Sequence, residues 1–218
     1  MRKIIFAFIL SLVLFASCKK TNELDSEVLL CGATINGVSY KDATTFCEDL
    51  YMGGFMPFSN KLRIQMQPDS VVFLQFRLES NQEPKTCFYL YGGIVFDKKE
   101  KFPLLNKNYE ITYEPKFNTQ RSIYGELRAY LTKHRDNGTV QLPFAVIMIE
   151  DPVKYGVERE GSFSLEGTLV FDAYSPKTYQ CEGHFKLSNE HAEGVSQRYF
   201  VEGRFKTKFY NQNNVFKL

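Results

Sequence analysis

The residues with chemistry to offer are three histidines and a scatter of carboxylates. Glu182 and His184 stand two apart in an extended run, so both side chains project from the same side of a strand. His191 follows in a polar stretch between Glu190 and Glu193, and His134 sits among Lys133, Arg135 and Asp136. If Glu182, His184 and His191 converged, they would offer nitrogen and oxygen donors to a metal, or one imidazole as a general base. The spacing does not support that chemistry: the chain contains no HExxH, no GxSxG and no paired ligand spacing. These groups are therefore expected to be solvated, with no metal site, no catalytic residue and no cofactor assigned.

Glu166, Glu182 and Glu202 each precede a glycine in a Glu-Gly-x-apolar pattern that also occurs at Glu160. Were their strands neighbours in register, the three carboxylates could hold a cation. Like charges directly opposite one another repel, so each is instead expected to pair with a nearby Lys or Arg. Glycoside hydrolysis needs two carboxyl groups facing each other across a cleft, and no spacing here sets any two that way.

Aromatic side chains are the other candidate signal. Phe73, Phe88, Tyr130 and Phe200 fall on the nominally wet face of their strands. They would form a platform for a glycan, peptide or lipid, unless a second layer covers them, which is the expectation. The absence of Trp counts against a carbohydrate-binding module.

The elements that must position these residues are β-strands. Ala33 to Tyr40 places Asn36-Gly37 between two alternating segments, the signature of a type I′ hairpin. Period-two alternation recurs at Leu62–Met66, Val72–Leu78, Cys87–Tyr91, Tyr109–Tyr113 and Leu127–Leu131. Phe144 to Ile149 is continuously apolar and predicts a central strand. In the last third, Gly167, Gly183 and Gly203 share the inward face with large apolar neighbours, which allows a bend, a bulge or a covering aromatic ring. Only short helical turns are expected, near 42–51 and 188–195. The fold class is all-β: a mainly antiparallel sandwich or open barrel of roughly eight to ten strands, occupying 31–218 as one domain.

The N-terminus differs in kind. Arg2-Lys3, an apolar run from Ile4 to Phe15, and Ala16-Ser17 before Cys18 form a signal peptide over 1–17, too short to span a bilayer. The segment before Cys18 resembles a bacterial lipobox, with Phe15 where Leu is usual. That resemblance implies cleavage before Cys18, lipidation of Cys18 and a tether over 18–30 that holds the domain to a membrane. Four cysteines remain: Cys31, Cys47, Cys87 and Cys181. They allow three pairings, or buried free thiols, with a preference for Cys31 with Cys47 across a hairpin.

With the lipobox, the Ala33–Tyr40 segment and the late Gly-x-Phe strands, the chain resembles uncharacterised Bacteroidetes outer-membrane lipoproteins. The resemblance implies an all-β domain on the outer membrane. In that phylum acidic residues just after the lipidated Cys accompany surface display; Lys19-Lys20 stand there instead, which leaves the periplasmic and the cell-surface face both open. Asp69-Ser70-Val71 resembles the phylum's O-glycosylation motif, with Ser70 as acceptor.

Cleavage would leave 25 basic against 25 acidic residues. A neutral chain offers no basic face to nucleic acid. The expected role is that of a cell-envelope binding or accessory protein with a protein or glycan partner. Its rivals are an envelope hydrolase acting on glycan or peptide, and a calycin-like carrier of an apolar ligand, which needs an open barrel interior.

Overall fold

The computed structural model describes residues 31–42, 64–67, 71–96, 104–118, parts of 127–134, 142–151, 161–175, 177 and 180–211. These form ten strands: β1 (Cys31–Ile35), β2 (Val38–Asp42), β3 (Ile64–Gln67), β4 (Val71–Ser80), β5 (Cys87–Val95), β6 (Asn108–Ile111), β7 (Phe144–Asp151), β8 (Gly161–Ser175), β9 (Gln180–Ser188) and β10 (Phe200–Asn211). The all-β, mainly antiparallel expectation holds.

The pairings make a complete circuit. β1, β2, β4, β5, β7, β8, β9 and β10 each pair antiparallel with the next, and β10 pairs antiparallel with β1. The two short strands fill gaps. β3 lies between β4 and β10 beyond the end of the β1–β2 hairpin, and β6 lies between β7 and β8 where those two part. The arrangement is a barrel. Its upper end carries the Asn36-Gly37 turn and the β9–β10 loop; its lower end carries the β3–β4, β5–β6 and β8–β9 connections.

Alternation builds the interior. Val72, Leu74, Phe76 and Leu78 of β4 point inward, as do Leu165, Leu169 and Phe171 of β8 and Val201 and Phe205 of β10, in one cluster to which strands all round the ring contribute. Asn36 (φ 51°) and Gly37 (φ 81°) adopt the left-handed angles that the type I′ turn requires. The inward glycines are covered by rings. Gly203 faces Phe185 across the β9–β10 pair, and Gly183 faces Phe205. A Cβ at Gly203 would meet Phe185 Cζ at 2.6 Å and Gly32 O at 2.7 Å. Each ring thus lies over the glycine on the neighbouring strand, filling the space its missing side chain leaves.

A second core lies outside the barrel. On β7, Ala145, Ile147 and Ile149 join the interior, whereas Phe144, Val146 and Met148 join Phe73, Tyr91, Val95, Phe117, Leu127 and Leu131 in an outer cluster. This explains the unbroken apolar run of β7: both of its faces are buried. The cover consists of the 3₁₀ turn Pro115–Phe117 and a helical segment within 127–134. That segment corrects the strand predicted at Leu127–Leu131. Leu127 and Leu131 are four apart, so they satisfy a helical period as well as an alternating one, and both are fully buried against the sheet. The close approach lands on Gly93, where a Cβ would stand 3.3 Å from Leu131 Cγ.

Three smaller corrections follow. The alternation through Tyr113 ends as a strand at Ile111. Phe88 points into the barrel, because Leu90 and Ile94 fix that parity on β5. Residues 189–195 form turns rather than a helix. Residues 42–51 lie, beyond Asp42, outside the described residues.

Candidate functional site

Strand register assembles a row of polar side chains across the outside of the barrel. Thr34 on β1 faces Glu202 on β10, Glu202 faces Lys186 on β9, Lys186 faces Thr168 on β8, and Thr168 faces Glu110 on β6. One step toward the upper end, Phe200 faces Ser188 and Ser188 faces Glu166. These rows line an open groove of about 790 Å3 that also takes in Gly37, Glu190 and His191. Gly167 lies where β8 exchanges β7 for β6 as its partner; its φ is 140°, and a Cβ there would lie 3.0 Å from Leu187 Cα. Only glycine adopts that backbone without strain.

Two asparagines hold the rims. Asn36 Oδ1 accepts from Phe200 N at 2.8 Å, and its Nδ2 donates to Arg198 O at 2.9 Å. This fixes the β1–β2 turn to the start of β10. Asn189, fully buried, accepts from Tyr199 N at 2.7 Å and donates to Gln197 O at 2.9 Å. Arg198 Nη1 then donates to Asn189 O and Ala192 O, both at 2.7 Å. The β9–β10 loop is thereby stapled at both ends. It carries His191 over the groove, where Nδ1 lies 2.8 Å from Glu166 Oε1. Phe200 stands at the edge, 49% exposed.

The lining offers carboxylates (Glu110, Glu166, Glu202), one ammonium (Lys186), the hydroxyls of Thr34, Thr168 and Ser188, and the ring of Phe200. It can accept and donate hydrogen bonds along one wall while an apolar ligand face lies on the ring. Glu202 and Glu110 are three strands apart, roughly 14 Å at the usual interstrand spacing.

The histidines and glutamates singled out in the sequence are dispersed among separate partners. His184 Nδ1 meets Asp172 at 2.9 Å, Glu182 meets Lys206 at 3.3 Å, and His191 takes Glu166. Glu202 lies opposite Lys186, while Glu166 takes a histidine rather than the expected Lys or Arg. Among the described residues no group of three His, Cys, Asp or Glu is placed to hold a metal. Of the aromatics, Phe73 is covered by the outer cluster and Phe200 alone keeps an exposed face. Tyr130 sits on the helical segment, 4.1 Å from His134 between ring centres, and donates to Glu114. Burial and that carboxylate push its phenol well above the ordinary range.

Cys181 and Cys87 are free thiols. Burial pushes Cys181 up to about 12. Burial also raises Cys87, against the opposing pull of Arg77, whose Nε donates to its sulfur at 3.2 Å. Cys31 is buried at the start of β1, and its proposed partner Cys47 lies outside the described residues. So do Cys18, the signal peptide and Ser70; the flanking strands β3 and β4 pair antiparallel around the segment that contains Ser70. No described helix is long and apolar enough to cross a membrane.

Sequence reasoning missed the groove because its members come from five strands. Thr34 and Glu202 become neighbours across 168 positions, and no local signal marks them. No family model matches this chain, and neither curated proteins nor solved structures contain a match.

Proposed function

We propose that this chain is a lipid-anchored binding protein of the bacterial outer membrane, and that it takes a glycan in the groove on β8, β9 and β10. The observation that supports this reading is the preorganised groove: its rims are fixed by Asn36 and Asn189, and its wall of carboxylates and hydroxyls ends at one exposed ring. Sugar hydroxyls donate to carboxylates and accept from an ammonium, while the C–H face of a pyranose lies on an aromatic ring. A rigid site binds more tightly because little ordering is left to be done on binding. The carrier reading needs an open interior, and the described interior is occupied by Phe76, Phe171, Phe185 and Phe205 among others.

The test is thermal unfolding of the chain and of Phe200→Ala against glycans, peptides, lipids and divalent metals. A ligand at 100 times its Kd adds about 2.7 kcal/mol of stability. That corresponds to roughly 5–10 °C in a domain of this size. The reading expects a saturable shift with a glycan that is lost in Phe200→Ala. A shift with another ligand class only, or one that Phe200→Ala leaves intact, would overturn it.

A further inference from the structure

We infer that the lower end of the barrel rests on a lipid bilayer, with Leu104, Leu105 and Leu142 in the interface. Large apolar side chains of the described residues are nearly all buried; the exposed ones are Phe200 in the groove and these three leucines, at 45%, 44% and 44%. They share one rim. β6 runs parallel to β7 with Ile111 opposite Ala145, which sets Leu142 level with Asn108, and Leu104-Leu105 lies in the turn just before Asn108. That turn is held in place: Leu104 N donates to Tyr109 Oη at 2.5 Å and Asn106 N donates to Phe171 O at 2.8 Å. Leu104 and Leu105 are therefore presented outward by a fixed backbone.

Two further observations select lipid as the occupant. First, β1 enters from this end: Cys31 pairs with Phe205 and Ile35 with Val201, while β10 runs downward from Phe200. The tether therefore reaches the domain from the leucine side. Its thirteen residues, 18–30, extend at most about 45 Å. Second, the described lysines at this end stand beside the leucines: Lys107 follows Leu105 by two residues, and Lys177 is exposed in the β8–β9 turn. Apolar side chains beside lysines suit the headgroup region of an anionic bilayer. In this pose the Asn36-Gly37 turn and the β9–β10 loop, which border the groove, face away from the membrane. The inference rests on the lipid-anchor reading for its orientation.

The chain has no Trp, so a single introduced indole reports its own surroundings. L105W, L142W and F200W of the full mature chain would be reconstituted into vesicles of phosphatidylethanolamine and phosphatidylglycerol. The expected result is a blue shift of L105W and L142W, with quenching by brominated acyl chains, and no change in F200W. Solvent-like emission of both leucine-site variants while the chain floats with the vesicles would overturn the inference. The mass of the N-terminal peptide, with C18S as reference, tests the anchor separately. If no lipid is found there, the same variants held on nickel-chelating lipid by an N-terminal hexahistidine still decide the rim.

Discussion

Replacing Asn189 by Ala should cost about 3 kcal/mol of stability, the sum of one buried and one part-buried hydrogen bond and the desolvation of the groups left unpaired. The side chain is fully buried and bonds the backbone of Gln197 and Tyr199 at 2.9 and 2.7 Å, so Ala removes both contacts. For a domain of this size the loss corresponds to a fall in Tm of roughly 6–12 °C. Urea unfolding measures it directly, with exposed Glu190→Ala as the control, expected within about 0.5 kcal/mol of the parent. Asn189→Asp separates the two bonds. The carboxylate keeps an acceptor for Tyr199 N but loses the donor to Gln197 O, and it buries a charge. Burial raises the pKa of such a carboxyl in the folded state, so its deficit is greatest at neutral pH and shrinks as the pH falls toward about 4 and the acid can donate again. If Asn189→Ala unfolds at the midpoint of the parent with the same m-value, the staple does not hold the loop, and the case for a preformed groove fails with it.

Three other outcomes are expected. Leu131→Ala should cost about 2–5 kcal/mol by urea unfolding, because it opens a cavity between the helical segment and Phe73, Gly93 and Val146; a cost below about 0.5 kcal/mol would mean that the outer cluster does not contribute to the fold. Gly203→Ala should cost about 1–3 kcal/mol, since the added methyl meets both the Phe185 ring and a backbone oxygen; a neutral effect in the same assay would contradict the ring-over-glycine packing. The Cys181 thiol, raised by burial to about 12 from an ordinary 9, favours the folded state in its protonated form. Its stabilising effect is complete below pH 9 and is lost as the pH rises toward 12, with a slope of at most about 1.4 kcal/mol per pH unit. At pH 8 a thiol reagent should label Cys87, which is only partly buried, before Cys181, which should react only on unfolding; labelling of Cys181 in the native state would count against its burial.

Local chemistry made part of the fold legible. Asn36-Gly37 names its own turn, and Gly183 and Gly203 could be placed inward because their neighbours alternate cleanly. Alternation failed where two periods coincide, as at Leu127 and Leu131, and where both faces of a strand carry aromatic residues, as at Phe88, Tyr89 and Tyr91. The groove was illegible for a different reason. Thr34, Glu110, Thr168, Lys186 and Glu202 are ordinary surface residues taken singly, and only the register of five strands makes them a wall. Phe200 could be assigned to the outer face from its parity, but parity alone does not tell that the outer cluster buries Phe73 while Phe200 stays exposed.

The seam between β1 and β10 sets a schedule for the molecule. Residues 31–35 pair with β2 along one edge, but along the other their partners are 201–205, so β1 waits for β10 to complete its pairing. Until β10 arrives, both β1 and β9 present open edges, and the Asn36 side chain has no Phe200 amide to receive. Such distant pairing makes closure slow. The same seam serves as a completeness check: a chain cut short before Phe200 cannot close, and its bare strand edges mark it for aggregation or proteolysis.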